Sequence, residues 1–205
     1  MMELILHLLQ MNNSNNNQSF NFILTQDAPI TNLLRDDYCK SFEDVCQLIA
    51  HLNYKRNSNK SKVTCVLDDR YGTCSTKHAL LKTIAEEHGR NDIKLVVGIF
   101  LMTSTNSPKV AGILQEFNLH GIPEAHCYLM HGNNIYDYTF AKSTLQFEAD
   151  LMQIIELNAA IDISLKESLQ QSFLKRWIAQ EHIPYTFEQI WAIREKCICG
   201  LSDIA

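Results

Sequence analysis

The sequence predicts an α+β fold in which one helix packs on a small antiparallel sheet and a helical section follows. Three observations carry that expectation. At Gly72-Thr73-Cys74 a turn hands over to a run with helical spacing through Lys77, Leu80, Leu81, Ile84 and Ala85, stopped by Gly89. Two short aromatic and apolar runs between Glu124 and Thr139 flank a Gly132-Asn133 turn, which is a hairpin signal. From about Leu145 onward only helical periodicity is visible.

Along the chain, residues 1–19 read as an N-terminal element and an Asn-rich loop, 20–145 as the core, and 146–205 as the helical section of the same domain. Phe20–Gln26 is a candidate strand. Ser41-Phe42-Glu43-Asp44 caps a helix to about Leu52, with Val45, Leu48, Ile49 and Leu52 on its apolar face. Val63–Leu67 is expected to be extended and to lead into the Cys74 turn, and Ile93–Phe100 reads as a core strand. Ser107-Pro108 opens a helix to about Phe117. Three more helices are expected over Gln146–Leu157, Ser164–Gln180 and Phe187–Cys199, the last two separated at His182-Ile183-Pro184 and capped at Thr186. Trp177 and Trp191 are expected to be core anchors.

At 205 residues, 46% hydrophobic and 20% charged, the chain is long enough to bury one sizeable core. A net charge of −5 argues against a nucleic-acid surface, and the basic stretch Lys55–Lys62 reads as a solvated loop. Seven cysteines, an odd number, point to reduced thiols of a cytoplasmic protein and not to a disulfide framework. The opening Met1–Leu9 run is short, carries Glu3 and makes a poor secretory signal. No apolar run has membrane-spanning length.

Cys74 is the residue with most chemical promise. A thiol is a useful nucleophile as the thiolate, and a helix N-terminus favours that form through its dipole and unpaired N–H groups. Gly72 is expected to allow a tight turn and Thr73 to serve as N-cap, placing Cys74 in the first helical turn on the face of His78, Leu81 and Ala85. The hairpin then offers His126 as base and Asp137 as its orienting carboxylate. A two-residue type II′ turn at Gly132-Asn133 pairs His131 with Asn134 and Met130 with Ile135. That register puts Asp137 diagonal to His126 on one face, with its carboxylate expected at Nδ1.

In this order and spacing, Gly72-Thr73-Cys74 with Ala79, the Ile93–Phe100 strand, His126-Cys127-Tyr128 and Asp137-Tyr138-Thr139 resemble the transglutaminase-like superfamily, particularly its small bacterial members. The resemblance covers residues 63–140. It implies a papain-like, cysteine-proteinase-like core with a Cys74-His126-Asp137 triad. The implied activity is a cysteine-dependent hydrolase or acyltransferase that works on a peptide or small amide or acyl substrate through a thioester, without a cofactor. Ser75 stands where the crosslinking members carry Trp, and Tyr138 where Pro is usual. No calcium-loop pattern of carboxylates is seen, so protein crosslinking is not implied.

Other readings stand beside this one. His78 lies one turn beyond Cys74 and could form a local Cys-His pair, or line the cleft or face solvent. Cys197-Ile198-Cys199 lacks a second pair with zinc spacing, and its sulfurs should fall on different helix faces. Cys127 should face away from His126 into the core, and His131 should be exposed in the turn. Gln47 and Asn53 are candidate oxyanion donors, and Asp68-Asp69 a candidate amine-binding pair. A catalytically silent binding module would keep the cleft without turnover. A redox thiol would need a resolving cysteine, of which Cys65 is nearest in sequence.

Overall fold

The structure, a computed structural model, describes residues 19–25, 27–37, 39–142, 146–157 and 165–202. The expected N-terminal element and Asn-rich loop lie outside the described residues apart from Ser19, as does Ser164. The architecture is α+β. Helices α1 (Phe42–His51), α2 (Cys65–Asp69), α3 (Cys74–Glu87), α4 (Ala111–Glu116), α5 (Leu165–Gln180) and α6 (Phe187–Ser202) surround two sheets. A parallel pair joins β1 (Asn53–Tyr54) to β2 (Tyr71–Gly72). The main sheet is antiparallel, in the order β5 (Asn134–Tyr136), β4 (Gly121–His131), β3 (Ile93–Thr103), β6 (Leu151–Leu157).

Strand β3 is apolar on both faces because both are covered. Ile93, Leu95, Val97 and Ile99 join Ala125, Cys127 and Leu129 of β4 in a core against α1 and α3. Val96, Phe100 and Met102 join Ile122 and Tyr128 in a second core against α5 and α6, where Leu174, Trp177, Ile190 and Ile193 are buried. The sheet is thus the middle of three layers, and alternation along β4 sends odd-numbered side chains to α3 and even-numbered ones, His126 among them, to the C-terminal helices. Gly98 sits directly opposite His126 across the ladder. A Cβ there would come within 2.8 Å of the Tyr128 ring, so the missing side chain is what lets that ring lie across β3.

Capping follows the sequence closely. Ser41 Oγ accepts the Asp44 N–H of α1 (3.3 Å) and Asp44 accepts the Ser41 N–H (2.8 Å). Thr73 and Thr76 form the same reciprocal arrangement on α3, and Thr186 with Gln189 on α6. At the hairpin, His131 pairs with Asn134 and Met130 with Ile135 as the turn residues predicted. Gly132 takes a positive φ of 57°, while Asn133 does not, as a type II′ turn requires.

Several expectations are corrected. Gln146–Leu157 is not a helix: a short 3-10 turn at Glu148–Asp150 leads into β6. Its apolar residues fit either period. The free edge of β3 decides the outcome by supplying a ladder from Leu95↔Leu157 to Phe100↔Leu151. The described helical section therefore begins at Leu165, and β6 belongs to the core sheet. Val63–Leu67 is not extended but runs into α2, after which Arg70, at φ 59°, turns the chain into β2. Phe20–Gln26 contributes only a single bridge, Ile23↔Ser41, and Gln26 itself is outside the described residues. The Ser107-Pro108 helix starts as a 3-10 turn before α4. Gly72 keeps an ordinary φ. What it provides is room, since a Cβ there would lie 2.9 Å from both Thr76 Oγ1 and Val66 Cγ2. No helix among the described residues is long and apolar enough to cross a membrane.

Candidate active site

The site forms where the outer edge of β4 is left open. β5 pairs only with Leu129–His131, and the N-terminus of α3 comes up to the unpaired part of that edge. Cys74 is the first residue of α3, capped by Thr73 and buried to 3% exposure. From that edge its sulfur is within reach of groups on both faces of the sheet. On the α3 face, Ser75 Oγ lies 3.5 Å from Cys127 Sγ and 3.9 Å from Cys74 Sγ. On the other, the His126 imidazole lines the same recess as the sulfur, and each favours the other's charged form.

The structure brings Cys74, His126 and Asp137 together. His126 Nε2 is 3.0 Å from Asp137 Oδ2, so the expected use of Nδ1 for this contact is corrected. Because β5 ends at Tyr136, Asp137 has already left the ladder and meets the ring at its far nitrogen. Nδ1 is then the nitrogen left for Cys74. The second carboxylate oxygen, Oδ1, accepts the Thr139 N–H at 3.0 Å and its hydroxyl at 2.6 Å, which fixes the carboxylate plane.

These contacts set the charge states. The Cys74 thiol is held well below its ordinary pKa. Hydrogen bonding with Cys127 acts first, burial opposes it, and the Lys166 ammonium and His126 add to the lowering. Cys127 is pushed the other way, by Cys74 and by burial. Burial disfavours the His126 cation, but Asp137 and the Cys74 thiolate outweigh it and raise its pKa to about 10. Asp137 is held far below the usual carboxylate range: burial opposes its charge, but the His126 cation and the Thr139 hydrogen bond prevail. A thiolate–imidazolium pair backed by a carboxylate is the resting state these interactions favour.

His78 is not a rival base. It is wholly buried, its Nδ1 lies 2.8 Å from the Cys74 carbonyl, and its Nε2 accepts the Tyr138 N–H at 2.8 Å. Both nitrogens are occupied, and burial lowers its pKa, so it stays neutral. The expectation that it lines the cleft or faces solvent fails because Tyr138 folds back over it. Next to it, buried Lys77 donates to the Leu52 and Thr139 carbonyls at 2.6 and 2.8 Å, and burial pulls its pKa down to about 8. Two adjacent side chains of α3 thereby grip the chain on either side of Tyr138 and set where Asp137 can go.

A cavity of about 1010 Å³ opens beside the sulfur, bounded by Tyr54, Ser75, Glu124, Lys166, Trp191 and Arg194. A small recess adjoins it and reaches Cys74 and His126, with Tyr54 and Glu124 common to both. The basic stretch is an exposed loop, as expected, and part of it walls this cavity around the one buried residue, Asn57. Arg56 pairs with Glu195 (2.6 Å), Lys62 with Asp68 (2.9 Å), and Asn57 is buried, bonded to Asp69, the Tyr71 carbonyl and Thr76. Asp68 and Asp69 are thus engaged within the protein. Trp177 is a core anchor as expected, and Trp191, half-buried, packs against the same core while also lining the cavity.

The proposed oxyanion donors are not at the site. Gln47 is exposed and bonded to Glu43, and Asn53 is exposed on β1. His131 is not an exposed turn residue, since it pairs with Asp92 at 2.9 Å. Cys127 is core and faces the α3 side as expected, and Ser75 Oγ lies between its sulfur and that of Cys74, a neighbourhood that spacing along the sequence does not reveal. Cys197 is buried and Cys199 exposed, on different faces as their spacing requires. Among the described residues, no group of His, Cys, Asp and Glu is arranged to hold a metal ion. Lys166 was not foreseen: its ammonium lies 3.3 Å from Cys74 Sγ, contributed by α5 from 92 residues away. Comparison of the chain with protein-family models, with curated proteins and with solved structures finds no match.

Proposed function

We propose that this protein is a transglutaminase-like thiol enzyme, a hydrolase or acyltransferase acting on a peptide or small amide or acyl substrate. The observation that carries the reading is the cluster itself: a sulfur at a capped helix start, an imidazole lining the same recess, and Asp137 3.0 Å from that imidazole. The cysteine-proteinase-like layout inferred from the sequence is part of the same proposal.

In this reading the Cys74 thiolate attacks the substrate carbonyl carbon, and the carbonyl electron pair moves to oxygen. His126, already carrying the proton, gives it to the leaving nitrogen as the C–N bond breaks, which leaves a thioester. The neutral His126 then takes a proton from water or an incoming amine as that group attacks, and collapse expels the thiolate. Asp137 holds the ring and stabilises its cation in both halves. The backbone N–H of Cys74, at the first position of α3, is a free helix-terminal donor suited to the developing oxyanion. The cavity has the size of an extended ligand and a polar wall, which suits a peptide.

The burial of the sulfur favours a second reading, a binding module that keeps the cleft without turnover. One experiment separates the two. A panel of peptide amides and esters is incubated with wild type, Cys74→Ala and His126→Ala, with water or a primary amine as acceptor, and products are followed by mass spectrometry. Product formation lost in both variants supports the enzyme; no product from any member, with a binding response retained in Cys74→Ala, supports the module.

A further inference from the structure

We propose that Lys166 is a fourth catalytic residue, which pairs with the Cys74 thiolate at rest and follows the negative charge onto the substrate oxygen in the tetrahedral intermediate. This rests on the thiol-enzyme reading above and supplies the side-chain oxyanion donor that the sequence could not place.

The first support is geometric. Lys166 Nζ lies 3.3 Å from Cys74 Sγ, and Lys166 lines the large cavity beside Glu124. Its head is therefore at the junction of nucleophile and substrate space. Glu124, the nearby carboxylate, is already held by Arg194 through bonds of 2.6 Å at each oxygen and by Gln170 at 2.6 Å. The anion that Lys166 faces is the sulfur.

The second support is the placement of Lys166 on its helix. Lys166 is half-buried on α5, beside the sulfur. A half-buried ammonium in that position needs an anion close by, and the thiolate is the one it meets.

The third is the path the negative charge takes. Asp137 lies against His126 and Lys166 against Cys74, so the carboxylate and the sulfur each have a cationic partner of their own. When the sulfur attacks, the C–S bond forms, the sulfur loses its charge and the carbonyl oxygen gains it. The unit charge has moved by about two bond lengths, a distance the flexible four-carbon stem of lysine can follow. When the intermediate collapses, the oxygen's pair re-forms the C=O bond and the amine leaves with the His126 proton. Lys166 thus faces the negative charge before and after the attack.

The test uses two reactions at one sulfur. Iodoacetamide alkylates the thiolate by displacement at a CH₂ carbon and builds no oxyanion. An activated ester, p-nitrophenyl acetate, acylates the same thiolate through one. Second-order rate constants for both are measured on wild type, Lys166→Met and Lys166→Arg, with thermal melts to establish that each variant is folded. Lys166→Met is expected to slow alkylation by about 10-fold near pH 7 through the loss of thiolate, and acylation by a further factor of roughly 100. Lys166→Arg, which keeps a cation, is expected to retain most of the alkylation rate. If wild type acylates but Lys166→Met lowers both rates by the same factor, or neither, the proposal fails alone. If the acetyl group ends on Lys166 itself, Lys166 is an acceptor and the proposal also fails. If wild type alkylates readily yet never acylates, the enzyme reading fails and takes this proposal with it.

Discussion

His126 Nε2 and Asp137 Oδ2 lie 3.0 Å apart, although Asp137 is already one residue beyond the end of β5. No ladder bond holds the aspartate there. Thr139 fixes one carboxylate oxygen, and the flanking chain is held by His78 on the Tyr138 N–H and by Lys77 on the Thr139 carbonyl. Asp137 is thus positioned by the helix that carries Cys74, so the partner of the imidazole and the sulfur share one scaffold.

Asp137→Asn should leave the fold intact, because the remaining oxygen can still accept from Thr139. The amide does not compensate the imidazolium, so thiol-dependent turnover should fall by roughly 10³- to 10⁴-fold. Circular dichroism and steady-state rates on the substrate panel check this; unchanged turnover would move the orienting role elsewhere.

The pH response follows from the signs of the shifts. Alkylation needs only thiolate, so its rate should rise through a value well below the ordinary thiol pKa of about 8.5 and then stay level. Amide acylation also needs the His126 cation and should decline again near pH 10, where that proton is lost. For stability, His126 has its pKa raised in the fold. Its contribution is therefore full below its ordinary value of about 6.5 and is lost as pH rises toward 10. Asp137, lowered in the fold, contributes above about 3.9 and loses that as pH falls. Denaturant midpoints measured across pH should show both limbs, and His126→Asn should remove the alkaline one. In mass-mapped labelling at pH 6 with limiting iodoacetamide, Cys74 should react ahead of the exposed Cys199 despite its burial. The reverse order would contradict a preformed thiolate.

The Glu124–Arg194 pair joins β4 to α6 with both partners buried, at 6% and 7% exposure. Arg194→Met strands a carboxylate in that interior and should cost about 3–5 kcal/mol, which for a chain of this size lowers Tm by roughly 6–20 °C. The double variant Glu124→Gln with Arg194→Met should recover much of the loss. Thermal melts of the single and double variants decide it, and additive losses would contradict the pairing.

What the sequence disclosed is local. Thr73 as cap, Cys74 in the first turn of α3, and the Gly132-Asn133 register are all written in neighbouring residues, and from them His126 and Asp137 could be set near one another. What it concealed depends on segments distant in the chain. Leu151–Leu157 carries a pattern compatible with a helix and becomes a strand only because β3 has a free edge. His78 looks available until Tyr138 closes over it. Lys166 reaches the sulfur from 92 residues away, and Cys127 reaches Ser75 beside it from 52, with no spacing rule to announce them.

The central claim is that the Cys74 sulfur carries an acyl group during turnover. The direct measurement is intact-protein and peptide mass spectrometry after acid quench of the protein with an acyl or peptide amide probe, in wild type and in Cys74→Ala. The account predicts an adduct of the acyl mass on the Cys74 peptide of wild type, labile to hydroxylamine, and none in the variant. An adduct on another residue that persists in Cys74→Ala, or the absence of any adduct from probes that are nonetheless turned over, would contradict it.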